Sequence, residues 1–250
     1  MSLPVFLLDG TPSDTWGIYL PKKTLSLLPP TRDVEVTIPG RPGVLDYRTE
    51  FDKREIKLEL LALAQNKVEL MTNLRAFSKA ISPTAGYRAI VFDDDDKEYR
   101  VKVTGQSEIE FGQWWAKFEL TLKMADPFVY AKDDMTVQST LAAGDTMTIS
   151  NPGTAETGMI VMITPVSGTI TDPSFVVNAV TFSWTGQITA GITLHVDTGA
   201  MTVSLGPQNA LAGWSGDWPT LQPGDNILTY GHRAGSGDAL VTVIFRPRWI

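Results

Sequence analysis

Short runs in which polar and apolar residues alternate, each closed by turn residues, recur along almost the whole chain. Residues 33–38, DVEVTI, alternate one for one, as a half-buried strand does. Residues 54–63, REIKLELLAL, repeat the pattern, and similar runs continue to the end of the 250-residue chain. Only one segment has a clear helical period instead. The pattern therefore predicts a mainly β fold with a single helix.

The helical segment is residues 66–82, NKVELMTNLRAFSKAIS. Asn66 is a favoured N-cap residue, and Ser82 followed by Pro83 ends the pattern. We expect the helix to pack on a sheet through one apolar face, with Met71 beside it, formed by Leu70, Leu74, Phe77 and Ile81.

Further strands flank this helix in the N-terminal half. Residues 87–92 and 98–105 predict a hairpin around the sequence DDDDK, and residues 107–125 predict two more strands around Gly112. Trp114 and Trp115 fall inside the last run, where neighbouring side chains point to opposite faces. We expect one indole in the core and the other at an interface, and the sequence does not say which.

The C-terminal half is a succession of strands separated by turn signals such as NPGT, DTGA and QPGDN. Many short strands at this spacing predict an antiparallel β-sandwich or jelly roll. The predicted strands are TMTISN, GMIVMITPVSG, FVVNAVTFSW, ITLHVDT, AMTVSL, NILTYG and LVTVIFRPRWI.

Charge density changes between the two halves. Residues 1–130 contain 17 Lys and Arg and 19 Asp and Glu, whereas residues 131–250 contain 4 and 9. The change falls at residues 124–135, where Pro127 interrupts a strand-like run. We therefore expect two domains, residues 1–130 and 131–250.

Composition argues against several classes of function. The absence of cysteine excludes disulfide frameworks and thiolate zinc sites, and a net charge of −7 disfavours general affinity for nucleic acid. No run approaches the ~18 apolar residues of a membrane span, and no signal sequence is recognisable, so we expect a soluble protein made in the cytoplasm without membrane insertion. No G-x-S-x-G, H-E-x-x-H or phosphate-loop motif is present. We predict neither an enzyme nor a metal site nor a cofactor.

Several longer motifs, taken in order, carry a resemblance to a known family. They are LLDG…WGIYL, VTIPGRPGVLDY followed by FDKREIKLEL, FDDDDKEYRVKV, ADPF, NPGTAETGMIVMI, LHVDTGAMTV, GDWPTLQPGDNILTY and RPRWI. In this order and spacing, over nearly the whole chain, the sequence resembles the distal tail proteins of long-tailed (siphovirus) bacteriophages.

The resemblance implies a fold and an assembly. The N-terminal domain would be a tail-tube-like β-sandwich or barrel with one packed helix, and the C-terminal domain a galectin-like or carbohydrate-module-like jelly roll. Six copies would form a hub ring, single or stacked, at the virion tail tip. The ring would join the tail tube protein to the tail-associated tip protein and to receptor-binding and baseplate proteins. DNA would pass through its channel without specific binding.

The stretch IPGRPGVLDY, residues 38–47, interrupts two predicted strands with two glycines and two prolines. It predicts a long hairpin loop or an arm that leaves the sheet. A ring needs heterologous contacts that close on themselves, and a stiffened hairpin can reach a neighbour. The candidate contact residues are Ile38, Arg41, Val44, Leu45, Asp46 and Tyr47; the alternative is an ordinary surface loop.

The acidic run DDDDK has three interpretations: a solvated turn, a cation site, or a channel lining that repels phosphate. EF-hand spacing is absent. The channel-facing candidates are Asp93, Asp94, Asp95 and Asp96.

Aromatic residues of the C-terminal half could dock partner proteins or stack on a sugar. If they bind sugar, the alternative function is a free-standing carbohydrate-binding, lectin-like module. The candidates are Trp184, Trp214, Trp218 and Tyr230.

Overall fold

The computed structural model describes residues 3–235 and 237–250. The chain divides into two compact units, one ending at Lys132 and the other spanning Asp133–Trp249. Each unit has its own cluster of buried apolar side chains. Across the described residues, none of the helices has the length and apolarity needed to cross a membrane.

The first unit consists of strands, one α-helix and two short 3-10 turns, Ser13–Trp16 and Pro83–Ala85. Its elements in chain order are β1 Phe6–Leu8, β2 Thr11–Pro12, β3 Ile18–Thr24, β4 Thr31–Val36, β5 Leu45–Phe51, β6 Arg54–Leu63, α1 Lys67–Ala80, β7 Arg88–Phe92, β8 Lys97–Thr104, β9 Ile109–Phe111, β10 Trp115–Met124 and β11 Val129–Ala131.

One curled antiparallel sheet forms the body of this unit, with strand order β2-β1-β7-β8-β10-β6-β3. β9 adds to β10, and β11 adds to β8. Near the two ends of the order, the Leu20 N–H of β3 donates to the Pro4 carbonyl just before β1, at 2.9 Å. The sheet therefore curls back on itself, and the predicted N-terminal β-sandwich or barrel with one helix is confirmed.

α1 begins and packs as the sequence predicts. The Asn66 side chain accepts a hydrogen bond from the Glu69 N–H at 2.9 Å, and the Glu69 carboxylate accepts one from the Gln65 N–H at 2.9 Å. These bonds satisfy a backbone donor of the first turn and fix the entry of the chain. The predicted apolar face is buried against the sheet, since Leu70, Leu74, Phe77 and Ile81 are all less than a tenth exposed.

The second unit is built of strands, with one 3-10 turn at Leu211–Gly213. They are β12 Met135–Leu141, β13 Thr146–Asn151, β14 Met159–Pro165, β15 Thr169–Val177, β16 Val180–Trp184, β17 Gln187–Thr189, β18 Leu194–Asp197, β19 Thr202–Leu205, β20 Gln208–Asn209, β21 Trp214–Gly216, β22 Gly224–Gly235, β23 Ala239–Phe245 and β24 Arg248–Trp249.

Two antiparallel sheets enclose the core of this unit. One has the order β12-β23-β14-β18-β19-β20, and the other β13-β22-β15-β16-β21 with β17 beside β15. Alternate side chains of both sheets point inward, as Val161 and Val243 do in the first and Phe175 and Leu228 in the second. The predicted C-terminal β-sandwich is confirmed.

One predicted strand of this half, FVVNAVTFSW, is a hairpin instead. Val177 pairs with Val180, so the chain reverses through Asn178 and Ala179. Both turn residues have positive φ, 51° and 65°. A two-residue turn of this kind suits the twist of a hairpin, and it usually contains glycine. Because Ala179 takes that position, no turn signal marks the reversal.

Candidate interaction surfaces

β4 and β5 form a two-stranded sheet of their own, separate from the curled sheet. They are antiparallel, and a bulge between Val34 and Glu35 shifts the register. The tip contains Gly40 and Gly43, whose φ angles of 80° and 83° lie in the left-handed region that glycine tolerates. Of the two predicted alternatives, a long hairpin loop and an arm that leaves the sheet, the structure shows the second, and residues 31–51 are called the arm below.

Polar cross-links hold the two strands of the arm together. The Arg32 guanidinium of β4 donates to the Glu50 carboxylate of β5 at 2.7 Å, and Arg48, on the same strand as Glu50, reaches that carboxylate at 2.8 Å. The Thr49 hydroxyl donates to the Asp33 carboxylate at 2.7 Å. The hydrogen bond from Arg32 and the positive charge of Arg48 lower the pKa of Glu50 below its usual range. The arm is thus stiffened by contacts within itself.

The arm exposes apolar side chains that an isolated chain leaves uncovered. The prediction that residues 33–38 form a half-buried strand is wrong for this chain, because every residue of β4 is exposed. Val36 lies opposite Leu45, so both share one face, and Val34 lies two residues back on that face. Of the predicted contact residues, Leu45 is half-buried, and those exposed to solvent are Ile38, Arg41, Val44, Asp46 and Tyr47.

The base of the arm is fixed to the first unit. The Phe51 ring packs edge-on to Phe128, with centroids 5.9 Å apart. The Asp52 N–H donates to the Pro30 carbonyl at 2.7 Å. Arg54, the first residue of β6, is buried, and its guanidinium donates to the Ser26 carbonyl. The arm therefore leaves the body from an ordered base.

The acidic run forms the turn between β7 and β8, which pair as predicted. Asp93, Asp94 and Asp96 are exposed, whereas Asp95 is half-buried and accepts a hydrogen bond from the Tyr99 hydroxyl at 2.7 Å. Lys23 pairs with Asp94 and Lys97 with Asp96, and the Lys97 contact lowers the pKa of Asp96. Asp95 thus belongs to the turn itself. Among the described residues, no group of three or more His, Cys, Asp or Glu is arranged to hold a metal ion.

Trp114 and Trp115 are both exposed, by 53% and 38%, so the prediction that one lies in the core is wrong. The strand begins at Trp115, and the alternation does not extend back to Trp114. The Trp115 ring lies over Gly112, where an added Cβ would come within 2.2 Å of the indole.

Two further exposed apolar residues lie next to these tryptophans, and sequence reasoning missed both. Leu63 is directly opposite Trp115 and 37% exposed, and Phe111 pairs with Ala116 and is 51% exposed. Leu63 carried a signal, because it takes a polar position of the alternation in β6, whereas Phe111 continues the apolar positions of β9 and gave none. The four residues Leu63, Phe111, Trp114 and Trp115 are called the end patch below.

Two of the predicted docking aromatics lie in the core of the second unit. Trp184 is 6% exposed and its indole N–H donates to the Ala210 carbonyl at 2.8 Å, while Tyr230 is 1% exposed. Neither ring can stack on a ligand, so their prediction as docking residues is wrong. Trp214 and Trp218 are half-buried and stacked, with centroids 5.0 Å apart and planes at 15°. Trp218 also contacts the buried Phe182 at 5.6 Å.

Two family profiles match the chain, one in each unit. Residues 15–124 match the phage tail protein RIFT-related domain, and residues 152–249 match the siphovirus-type tail component, C-terminal domain. The chain belongs to the distal tail protein family of siphoviruses. Distal tail proteins are components of the virion tail tip, as the sequence resemblance implies.

Solved structures show the same fold as this distal tail protein. The Dit protein (gp 19.1) of phage SPP1, described as a paradigm of the hub adsorption apparatus in phages that infect Gram-positive hosts, matches with a TM-score of 0.81. The match covers 100% of both chains at 13% identity. A chain of the phage P2 baseplate, in its activated conformation with Ca, matches with a TM-score of 0.50 over 98% of both chains at 7% identity. Among curated proteins, no sequence is significantly similar to this chain.

Proposed function

We propose that this distal tail protein is a structural, non-catalytic hub whose six copies form a ring at the tail tip. The ring joins the tail tube protein to the tail-associated tip protein and to receptor-binding and baseplate proteins, and DNA passes through its central channel. The observation that carries the proposal is the arm, which is anchored at its base, stiffened internally and apolar on one exposed face.

An arm of this kind fits a contact between subunits better than it fits a surface loop. Exposed apolar side chains are concentrated around it: Leu27, Leu28, Val34, Val36, Ile38, Val44, Tyr47 and Phe51 are each more than a third exposed. Concentrated apolar exposure marks interaction sites, because burying such surface contributes about 25 cal/mol per Å². One arm that meets a different surface on the next copy gives a heterologous contact, and such contacts form a ring when the rotation between copies closes.

Deleting residues 40–46 tests the arm contact. We expect the intact protein to reach the mass of a hexamer in light scattering over a concentration series, with rings in negative-stain images at high concentration. The deletion variant should remain monomeric with an unchanged circular dichroism spectrum. Replacing the same seven residues by Gly and Ser is the control for loop length, and it should also fail to assemble. Unchanged assembly of the deletion variant would exclude the arm contact, and a monomeric intact protein at all concentrations would exclude the ring.

We also propose that the acidic turn keeps DNA from adhering to the hub. Asp93, Asp94 and Asp96 are exposed, and carboxylates near a channel repel phosphate, so the polymer slides past them. Lysine at these three positions should slow DNA ejection from phage particles that carry the variant, with the delay relieved by salt. Glutamate at the same positions is the charge-preserving control. Ejection at the parental rate with lysine would contradict this role.

A second candidate function, a free-standing carbohydrate-binding module, is favoured by one observation. The stacked pair Trp214 and Trp218 is half-buried, so part of its surface reaches solvent. Aromatic faces of this kind bind the apolar faces of sugars. Titration of cell-wall glycans against the intact protein and Trp214→Ala discriminates the two functions. Saturable binding by a monomer, lost in the variant, would favour the module, whereas the hub predicts a ring that shows no response to glycan.

A further inference from the structure

We infer that the arm of one copy docks on the end patch of the next copy, with Arg41 facing Glu108 and Glu110. The inference rests on the proposed ring and names the surface that receives the arm. A second copy of this chain is the occupant, because neither surface is covered within one chain. The arm offers aliphatic side chains and a positive charge, and the end patch offers aromatic side chains beside negative charges.

The two surfaces lie at opposite ends of one strand. β6 begins at Arg54, separated from the arm by two residues, and ends at Leu63 in the end patch. At 3.3 Å per residue, ten residues span roughly 30 Å. The arm's apolar face and the end patch are both exposed, so neither covers the other within the chain. Two different uncovered surfaces on one subunit meet the requirement for a heterologous contact, which forms a ring when its rotation closes.

The apolar halves of the contact match in character. The arm offers aliphatic side chains on the face of Val34, Val36 and Leu45. The end patch offers aromatic rings, and Trp115 is held in place by its contact with Gly112. Aromatic residues that are already ordered lose little entropy on binding and dominate the energetics of interfaces.

The opposite face of the arm is suited to remain in water. Glu35 lies opposite Asp46, and Asp33 opposite Thr49, so this face carries three carboxylates. The aliphatic face carries Arg48 opposite Val34 and Arg32 opposite Glu50, but these three charges are already bound to one another. Carboxylates crowd the other face, so the aliphatic face packs against the end patch at the lower desolvation cost. This fixes which side of the arm meets the neighbour.

A positive charge borders the arm, and negative charges border the end patch. Arg41 at the arm tip is exposed, and in the part of the chain that the structure describes it has no ion-pair partner. Glu108 and Glu110 flank Ile109 beside the end patch, are exposed, and likewise have no ion-pair partner among described residues. The other arginines of the arm, Arg32 and Arg48, are already bound to Glu50. Arg41 is thus the cation that the arm can offer to the two glutamates.

Engineered disulfides test the docking directly, because the chain contains no cysteine. Val36→Cys combined with Trp114→Cys places one thiol on each surface. Under mild oxidation we expect a ladder of covalent species up to the hexamer on a non-reducing gel. A mixture of the two single variants should give dimers only. The control pair, Val36→Cys with Lys57→Cys, places the second thiol on β6 near the arm base and should give no ladder.

Charge reversal supplies an independent measurement if the cysteine variants assemble poorly. Arg41→Glu alone, and Glu108→Arg with Glu110→Arg, should each weaken ring assembly about tenfold, which corresponds to about 1.4 kcal/mol. The triple variant should regain most of the loss. Rings that form without a ladder, or a triple variant no better than the single one, would overturn this docking and leave the hub ring intact. An intact protein that never assembles would instead overturn the proposed ring itself.

Discussion

The ring of Phe51 meets the ring of Phe128 edge to face, with centroids 5.9 Å apart and planes at 89°. Phe51 is the last residue of β5, so this pair lies where the arm joins the body. Beyond it the arm is held by the pairing of its two strands and by the cross-strand ion pair Arg32–Glu50. The direction in which the arm projects therefore depends on this contact and on the Asp52–Pro30 hydrogen bond beside it.

Phe51→Ala should weaken ring assembly more than it weakens folding. An edge-to-face aromatic pair contributes about 0.5–1.5 kcal/mol, so the free energy of unfolding should fall by about 1 kcal/mol. Assembly of the proposed ring should fall about tenfold or more, because the arm would lose its fixed direction. Light scattering measures assembly, and chemical denaturation measures the free energy of unfolding. Ile227→Ala, a similarly exposed apolar truncation in the second unit, should change neither. A loss of folding without a loss of assembly would contradict this role for Phe51.

The arm also shows where sequence reasoning stops. The alternation in DVEVTI correctly predicted a strand, and the glycines and prolines after it predicted the departure from the sheet. The same alternation wrongly predicted burial within the chain, because a pattern specifies an apolar face but not which molecule covers it. The prediction that Trp114 or Trp115 lies in the core was wrong for a related reason. The strand begins at Trp115, and a strand boundary displaced by one residue changes the face to which a side chain belongs.

Phe77→Ala should destabilise the first unit by about 3–5 kcal/mol. Phe77 is 2% exposed, and its ring contacts Phe6, Trp16 and Phe118 at 5.8–6.4 Å between centroids. Removing the ring leaves a cavity between α1 and the sheet. Val68→Ala on the same helix removes a side chain that is 79% exposed and should cost less than about 0.5 kcal/mol. Urea denaturation followed by circular dichroism measures both, and equal costs would mean that α1 does not pack as described.

Asn66→Ala should cost about 1 kcal/mol, because it removes the acceptor for the Glu69 N–H at the start of α1. Asn66→Asp keeps an acceptor in the same place and should restore most of the loss. Denaturation midpoints of the three proteins provide the comparison. If alanine and aspartate variants were equally unstable, the hydrogen bond would not be the source of the effect.

The second unit was predictable as a sandwich but less so in its details. Phe182 and Trp184 are two residues apart in one strand, as are Leu228 and Tyr230, so the alternation already indicated that each pair shares an inward face. The reversal at Asn178 and Ala179 was hidden because alanine seldom adopts a positive φ. Local conformation there is imposed by the strand pairing around it.

Tyr230→Phe should leave the protein as stable as before or about 1 kcal/mol more stable near neutral pH. The Tyr230 hydroxyl is buried, and among the described residues it has no hydrogen-bond partner, so removing it relieves a desolvation cost.

Burial raises the pKa of the Tyr230 hydroxyl from 10.0 to about 12. At a pH below the pKa of the unfolded chain, the neutral tyrosine contributes its full share to the free energy of unfolding. That share is lost as the pH rises from about 10 towards 12, because the unfolded chain releases the proton more easily than the folded protein does. The intact protein should therefore lose more stability than Tyr230→Phe between about pH 8 and about pH 11, by a difference of about 1 kcal/mol. Urea denaturation at the two pH values measures the difference, and Tyr47→Phe, at a site that is 67% exposed, should behave like the intact protein. Identical losses in the intact protein and Tyr230→Phe would show that the hydroxyl reaches solvent.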